Sequence, residues 1–316
     1  MARTARVSVD EHRADVAALL APLVDAARRR TRTEDVDLAD ALGRVLAGDL
    51  LAPVGVPLFR NAQMDGYAVR AADVADARGD APVRLAVVAE IAAAPGVPPR
   101  LAPGTAARIM TGAPVPEGAD AVVPVEDTAT GTFARPPAGP AQEGVTDPAA
   151  GQASTTSADP EPVEVRVPRA AGDFVREAGS DVRPGDVLLT DGTVLAPHHL
   201  AAAAACGVGR VRVVARPRVA VLSTGSELVG PEEAPGHGQV FDANADALGA
   251  AVRRAGGDVV LTARCGDDAE RFAAVLAEAA AVADLVVTSG GVSQGAYEVV
   301  KDVLGGGASS DVTFRS

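Results

Sequence analysis

Arg218-Val219-Ala220-Val221-Leu222-Ser223 decides the fold. This short apolar run ends at Thr224-Gly225 and has the pattern of a strand buried on both faces, as in parallel sheets. The chain then alternates: helical spacing from about Ala243 to Ala255, a strand at Val259 to Thr262, a helix from Asp268 to Val282, a strand at Leu285 to Thr288 and a glycine-rich turn. Such alternation predicts a doubly wound, three-layer α/β domain over residues 184–316, with ligands at the carboxyl ends of its strands. A helix from Pro197 to Cys206, preceded by Gly185-Asp186-Val187-Leu188-Leu189, leads into it.

The loops after those strands are the candidate site. Thr224-Gly225-Ser226-Glu227 follows the first strand, Asp267-Asp268 the second, and Ser289-Gly290-Gly291-Val292-Ser293-Gln294-Gly295 the third. A glycine-rich turn before a helix exposes N–H groups and a positive helix end, which together form an anion cradle. Glu227, Asp267 and Glu298 beside it suit Mg²⁺ bridging a phosphate, because hard oxygen ligands hold that ion with several waters retained. A tight strand-to-helix connection, with Glu227 and Asp267 capping helices, is the other reading; for Asp268 the cap is preferred.

Upstream, Ser8-Val9-Asp10-Glu11 has capping-box spacing and opens a helix whose Val16, Leu19, Leu20, Leu23 and Val24 recur at helical intervals to about Arg29. A second, short helical pattern runs from Leu38 through Leu46. From Pro57 onward short strands are expected at Gly66 to Val69, Val83 to Ile91, Ala106 to Met110 and Ala121 to Val125, divided by Pro and Gly. Residues 57–168 therefore read as a β-rich domain, and residues 1–56, with 169–183 returning to them, as an N-terminal helical linker region. Residues 128–162 are rich in Ala, Pro, Gly, Ser and Thr, which predicts a disordered insertion in a long hairpin loop before the strand at Val163 to Val167.

Composition narrows the function. The 316 residues are 47% apolar and 22% charged, enough for a packed core. Their net charge of −13, with Lys301 as the single lysine, argues against nucleic acid, whose affinity comes from clustered cations. No run of 18 apolar residues and no signal-peptide core appears, which predicts a soluble cytoplasmic protein and no membrane partner. Cys206 and Cys265 lack metal or redox spacing and read as buried thiols.

Two further stretches stand out in the β-rich half. Met64-Asp65-Gly66 can be a turn in which Gly66 takes a positive φ, and Thr111-Gly112 ends a strand before a proline-stiffened turn. Together, Met64-Asp65-Gly66-Tyr67-Ala68-Val69, Ile109-Met110-Thr111-Gly112-Ala113-Pro114-Val115-Pro116, Ser223-Thr224-Gly225-Ser226-Glu227-Leu228 and Thr288-Ser289-Gly290-Gly291-Val292-Ser293 resemble, in order and context, the motifs of the molybdopterin molybdenumtransferases, the MoeA family, which is related to the E domain of gephyrin. The resemblance covers nearly the whole chain outside the insertion.

It implies a multidomain protein, β-rich with an α/β domain of the MogA/MoaB type, that acts in molybdenum cofactor biosynthesis. Such an enzyme takes adenylylated molybdopterin, uses Mg²⁺ and molybdate, and releases AMP as molybdenum is inserted. Carried over, Asp65, Thr111, Glu227, Asp267 and Glu298 are the catalytic positions, with Glu227, Asp267 and Glu298 as metal ligands. Asp181, Thr224, Gly225, Ser289, Gly290, Gly291 and Ser293 bind substrate. The resemblance also implies a homodimer with the site shared between subunits, and a molybdopterin adenylyltransferase as a possible partner.

The chain departs from that pattern at Ala62, where a serine is usual, at Ser180 and Ser226, where acidic residues are usual, and at Glu298, where aspartate is usual. Family members continue past the position of Ser316, so the α/β domain is expected to be incomplete at its C-terminus. These departures carry the alternative, a noncatalytic molybdopterin-binding or scaffold homologue that has lost turnover. A third reading, an adenylyltransferase, is weakened by the long β-rich half.

Overall fold

The computed structural model describes residues 8–29, 32–133, 162–290 and 299–306. The chain divides into two compact units, one of residues 1–36 and 212–316, the other of residues 37–211. Helix α1 (Val9–Arg28) opens as expected: Ser8 N–H donates to Glu11 Oε2 at 2.7 Å and Glu11 N–H to Ser8 Oγ at 3.2 Å. These bonds satisfy two of the N–H groups that a helix start leaves free. Leu20, Leu23 and Val24 of α1 line an apolar groove with Val219, Val252 and Leu285 of the same unit. Strand β1 (Thr33–Asp37) follows.

The helical spacing from Leu38 through Leu46 does not become a helix. Only a 3-10 turn, Leu38–Asp40, forms; Gly43 takes φ +73°, and Val45 then bridges Val194 while Leu46 N–H donates to Thr193 O at 2.9 Å. Nine residues are too few to sustain a helix unaided, and extended pairing satisfies the same backbone groups.

Strand β2 (Leu50–Leu51) pairs with β10 (Val187–Leu189), and β3 (Asn61–Ala62) with β9 (Val175–Arg176). Between them β4 (Gly66–Val69), β5 (Val83–Ile91), β6 (Thr105–Ile109), β7 (Ala121–Pro124) and β8 (Val163–Val165) form a five-stranded sheet in the order β7-β4-β6-β5-β8. All its pairs are antiparallel except β5 with β6. Side chains alternate between two cores: Ala68, Ala107, Ile109 and Val122 enter one, Tyr67, Val69, Ala106, Ala121 and Val123 the other. The sheet is therefore covered on both faces.

The expected hairpin between Ala121 to Val125 and the strand at Val163 is displaced. β8 lies at the far edge from β7, and its partner across the loop is the segment just beyond β7: Arg166 N–H donates to Asp127 O and Ala129 N–H to Glu164 O, each at 2.9 Å. Residues 128–133, expected within the insertion, are packed. Thr128 is buried with its hydroxyl on Val125 O at 2.7 Å, and the Phe133 ring lies edge-on to Tyr67 at 5.7 Å. A single aromatic side chain supplies the apolar surface that the surrounding small residues lack. Residues 134–161 of the expected insertion lie outside the described residues.

Helix α2 (Pro197–Ala205) is capped by His199, whose Nδ1 accepts the Ala196 N–H at 3.1 Å, so this histidine has a structural partner. Strand β11 (Arg210–Val214) forms a two-stranded sheet with β1. Cys206 and Cys265 are free and buried.

In the other unit, β12 (Arg218–Thr224) is flanked by β15 (Asp258–Cys265) and β16 (Leu285–Ser289), all parallel. Short strands β13 (Leu228–Val229) and β14 (Val240–Phe241) precede α3 (Ala243–Arg254); α4 (Ala269–Val282) connects β15 to β16, and α5 (Val299–Gly306) follows. Ala220 and Leu222 of β12 pack with Phe272 and Ala279 of α4 and Val299 and Val300 of α5, while α3 rests on β12 and β15. At the opposite strand ends, Asp284 accepts the Arg218 N–H at 2.8 Å, the Arg218 guanidinium at 3.0 Å and the Arg32 guanidinium at 2.6 Å. Burial alone would raise the Asp284 carboxyl, but these donors hold it down at about 2. Among the described residues no helix is long and apolar enough to cross a membrane.

Candidate functional site

Asp65 stands in the link from β3 to β4, and Thr111 lies two residues beyond the end of β6. The Thr111 N–H and hydroxyl both donate to Asp65 Oδ1, each at 2.7 Å. The backbone bond, then the hydroxyl bond, holds the Asp65 carboxyl below the usual carboxylate value against a slight opposing effect of burial. The backbone carbonyl of Asp65 is also fixed, by the Val125 N–H at 3.1 Å. Gly66 does not take a positive φ; it begins β4, and a Cβ there would lie 2.0 Å from Val123 O. Close approach of the neighbouring strand, rather than turn geometry, is what requires glycine.

Asp181, in the loop after β9, is exposed and pairs with the Arg176 guanidinium, while Ser180 Oγ donates to its Oδ1 at 3.2 Å. Its N–H donates to Val56 O at 2.9 Å. No hydrogen bond links Asp181 to Asp65 or Thr111 among the described residues.

At the carboxyl edge of the parallel sheet, Thr224, Gly225, Ser226, Glu227, Asp267, Ser289 and Gly290 come together. Thr224 Oγ1 donates to Ser289 O at 3.3 Å, and the Gly225 N–H to Cys265 O at 2.9 Å. Gly225 has φ +148°, and the Glu227 carboxylate folds back over it so closely that a Cβ there would meet Oε2 at 2.6 Å. Ser226 Oγ accepts the Asp267 N–H at 3.1 Å, so the serine in the usual acidic position ties the first strand's loop to the second's. Gly290, at φ +90°, leaves no room for a Cβ, which would stand 2.3 Å from Thr224 O. Glu227 is followed by β13, not by a helix, and therefore caps nothing; Asp268 does cap α4, its Oδ1 accepting the Arg271 N–H at 2.9 Å. Gly291, Ser293 and Glu298 lie outside the described residues.

Sequence reasoning missed Asn244 and Asp242. Asn244 Nδ2 donates to Ser289 Oγ at 2.8 Å, and buried Asp242 caps α3 through Ala245 N–H while its Oδ2 stands 3.7 Å from Arg264 Nε. The available signal was Asp242-Ala243-Asn244 just before a helical pattern. Ser223 Oγ, beside Thr224, is fully buried without a hydrogen-bond partner. Among the described residues no group of three or more His, Cys, Asp or Glu is placed to hold a metal; Glu227 and Asp267 are the acidic residues that flank Ser226.

Comparison with known proteins gives these positions a context. Residues 7–207 match the family model of the MoeA N-terminal region (domain I and II), and residues 220–311 that of the probable molybdopterin binding domain. Molybdopterin molybdenumtransferase 2 of Mycobacterium tuberculosis is 42% identical over 298 residues, which are 94% of this chain and 65% of that protein. Molybdopterin molybdenumtransferase of Bacillus subtilis is 34% identical over 283 residues, covering 88% and 60%. The crystal structure of the molybdopterin biosynthesis MoeA protein of Pyrococcus horikoshii aligns with a TM-score of 0.59 at 32% identity, over 84% of this chain and 62% of that one. The chain thus spans less than two thirds of the length of these relatives. With both family models matched in order and 42% identity across nearly its full length, it belongs to the MoeA family.

Proposed function

We propose that the chain is a molybdopterin molybdenumtransferase that inserts molybdenum from molybdate into adenylylated molybdopterin, with release of AMP. The observation that carries this reading is the gathering of Thr224, Gly225, Glu227, Ser289 and Gly290 at the carboxyl edge of a parallel sheet, where α/β domains bind their ligands. The Ser289 hydroxyl and the loop backbone at Gly225 and Gly290 hold the phosphate end of the substrate, with Gly291 and Ser293 assigned to the same end, while the Thr224 hydroxyl, already donating to Ser289 O, ties the first strand's end to the third's. Asn244 orients Ser289 for that contact.

Mg²⁺ suits the donor types present: Glu227, next to Ser226 in sequence, and Asp267, whose N–H rests on the Ser226 hydroxyl, are exposed acidic residues, oxygen donors of the kind this ion prefers with water and phosphate completing its shell. Glu227 and Asp267 would hold it, with Glu298 as a third ligand. When bound, the ion supplies charge neutralisation at the phosphoanhydride. Without a cation, the two carboxylates and the chain's net charge of −13 would repel a phosphate ester.

Asp65 and Thr111 serve the other end of the substrate. Both donors of Thr111 are spent on Asp65, so the pair presents only acceptor oxygens and a negative charge. That suits the N–H groups of a pterin and disfavours an oxyanion, which favours the pterin over molybdate as the end the pair serves. Asp181 assists binding beside Arg176. The functional form is a cytoplasmic homodimer in which Asp65 and Thr111 of one subunit complete the site of the other, receiving substrate from a molybdopterin adenylyltransferase. Incubation with adenylylated molybdopterin, Mg²⁺ and molybdate tests the reading: AMP release is expected, and substrate binding without AMP release favours the scaffold alternative.

A further inference from the structure

Asp65 is held at more points than its bond to Thr111. Its carbonyl accepts the Val125 N–H at 3.1 Å, and two residues earlier Gln63 N–H donates to Phe174 O at 2.9 Å. Both outer contacts lead to the same place. Val125 begins the short turn Val125–Asp127, and the Asp127 carboxylate pairs with the Arg169 guanidinium. Arg169 lies over the Phe174 ring, with its Cζ 4.9 Å from the centroid. The chain of contacts therefore closes on itself: Asp65 to Val125, Asp127 to Arg169, Arg169 to Phe174, Phe174 to Gln63, and back to Asp65.

Two features of this ring are unfavourable in themselves. Phe174 has φ +54°, the one non-glycine residue in the left-handed region among the described residues, where a Cβ crowds the backbone. Arg169 Nε is buried without a hydrogen-bond partner. Backbone strain of this kind persists where surrounding contacts over-determine the geometry and clusters at functional sites, and an orphaned buried donor calls for a reason of its own. The ring also reaches Thr111: Phe174 and Met110, the residue before Thr111, pack against the same core cluster, and Ala62 O accepts the Gly112 N–H at 2.8 Å.

We propose that Arg169 and Phe174 are positioning residues whose ion pair and ring contact fix Asp65 against Thr111, an inference that rests on the role given to Asp65 above. They touch no reacting atom; they set where the carboxylate stands. Asparagine tolerates the left-handed region, so Phe174→Asn keeps the backbone and removes the ring. Arg169→Met keeps the apolar stem and removes the charge, and Asp127→Asn removes the same ion pair from its other side should Arg169→Met fail to fold.

The decisive readout is the titration of the Asp65 carboxyl, followed by carbon NMR in aspartate-labelled protein beside the melting temperature. In each folded variant the Asp65 value is expected to rise toward that of an ordinary aspartate, and AMP release to fall about tenfold, as expected for a displaced site group. An Asp65 titration identical to wild type in the folded variants, with only the melting temperature lowered, overturns the proposal and leaves the ring a stabilising contact alone. The titration is read without substrate, so a wild type that releases no AMP defeats the proposed function while leaving the positioning claim to stand or fall on Asp65.

Discussion

Thr111 gives Asp65 two hydrogen bonds of 2.7 Å that end on a single oxygen, Oδ1. Replacing Thr111 by Val keeps the shape and the N–H bond but removes the hydroxyl, at a cost of about 1.5–3 kcal/mol for a bond to a charged acceptor. AMP release should fall roughly 10- to 100-fold, with most of the loss in kcat if the pair orients substrate in the transition state. Asp65 is depressed below 3.8, so its contribution to stability is complete above that value and is lost as pH falls through its lower folded value. A pH profile should therefore show no titration of Asp65 between about pH 5 and 8. Thr111→Val should shift its acid limb upward.

Asp284 makes a second electrostatic prediction, about stability rather than catalysis. Its folded value of about 2 lies below the ordinary 3.8, so the stabilisation is present above about pH 4 and disappears as pH falls toward 2. Asp284→Asn should cost about 1–2 kcal/mol near neutrality, discounted because Arg32 is half exposed. Urea denaturation at several pH values should show the gap between wild type and variant closing in that acid window.

Glycine substitutions separate close approach from backbone conformation. Gly66→Ala places a Cβ 2.0 Å from Val123 O, and strand separation there should cost about 1–3 kcal/mol or more. Gly104 has φ +75° but open space around its Cβ position, so Gly104→Ala should lose only about 1–2 kcal/mol. Melting temperatures of the two variants should rank in that order.

The proposed sharing of the site between two subunits has an arithmetic consequence. Asp65→Asn and Glu227→Gln dimers should each keep no more than about a tenth of wild-type activity, yet mixing and reassociating them should raise it to about a quarter, because half of the dimers are mixed and each holds one intact site. No recovery would place both residues in one subunit's site or in none.

Much of this was legible in the sequence where local pattern and burial agree. β12 is readable because it is apolar throughout and buried on both sides, and its loop follows from strand direction. The bounds of β4 and β5 coincide with those expected from alternation and flanking breakers. Leu38 to Leu46 is misleading because its apolar spacing serves extended pairing with Thr193 and Val194, residues remote in sequence. The Asp65 to Thr111 bond spans 46 positions, so residue types suggest candidates while only the fold joins them. Asn244 escapes notice for the same reason: its partner Ser289 lies 45 positions away. Ser226 looks like a lost ligand until the Asp267 N–H is seen resting on its hydroxyl.

A single-turnover measurement of AMP release from adenylylated molybdopterin in the presence of Mg²⁺, with and without molybdate, for wild type and Glu227→Gln decides whether the chain is a molybdenumtransferase. Wild type is expected to release AMP coupled to molybdenum capture by the molybdopterin, and the variant to release it at least about tenfold more slowly. Tight substrate binding with no AMP release under any of these conditions would contradict that assignment.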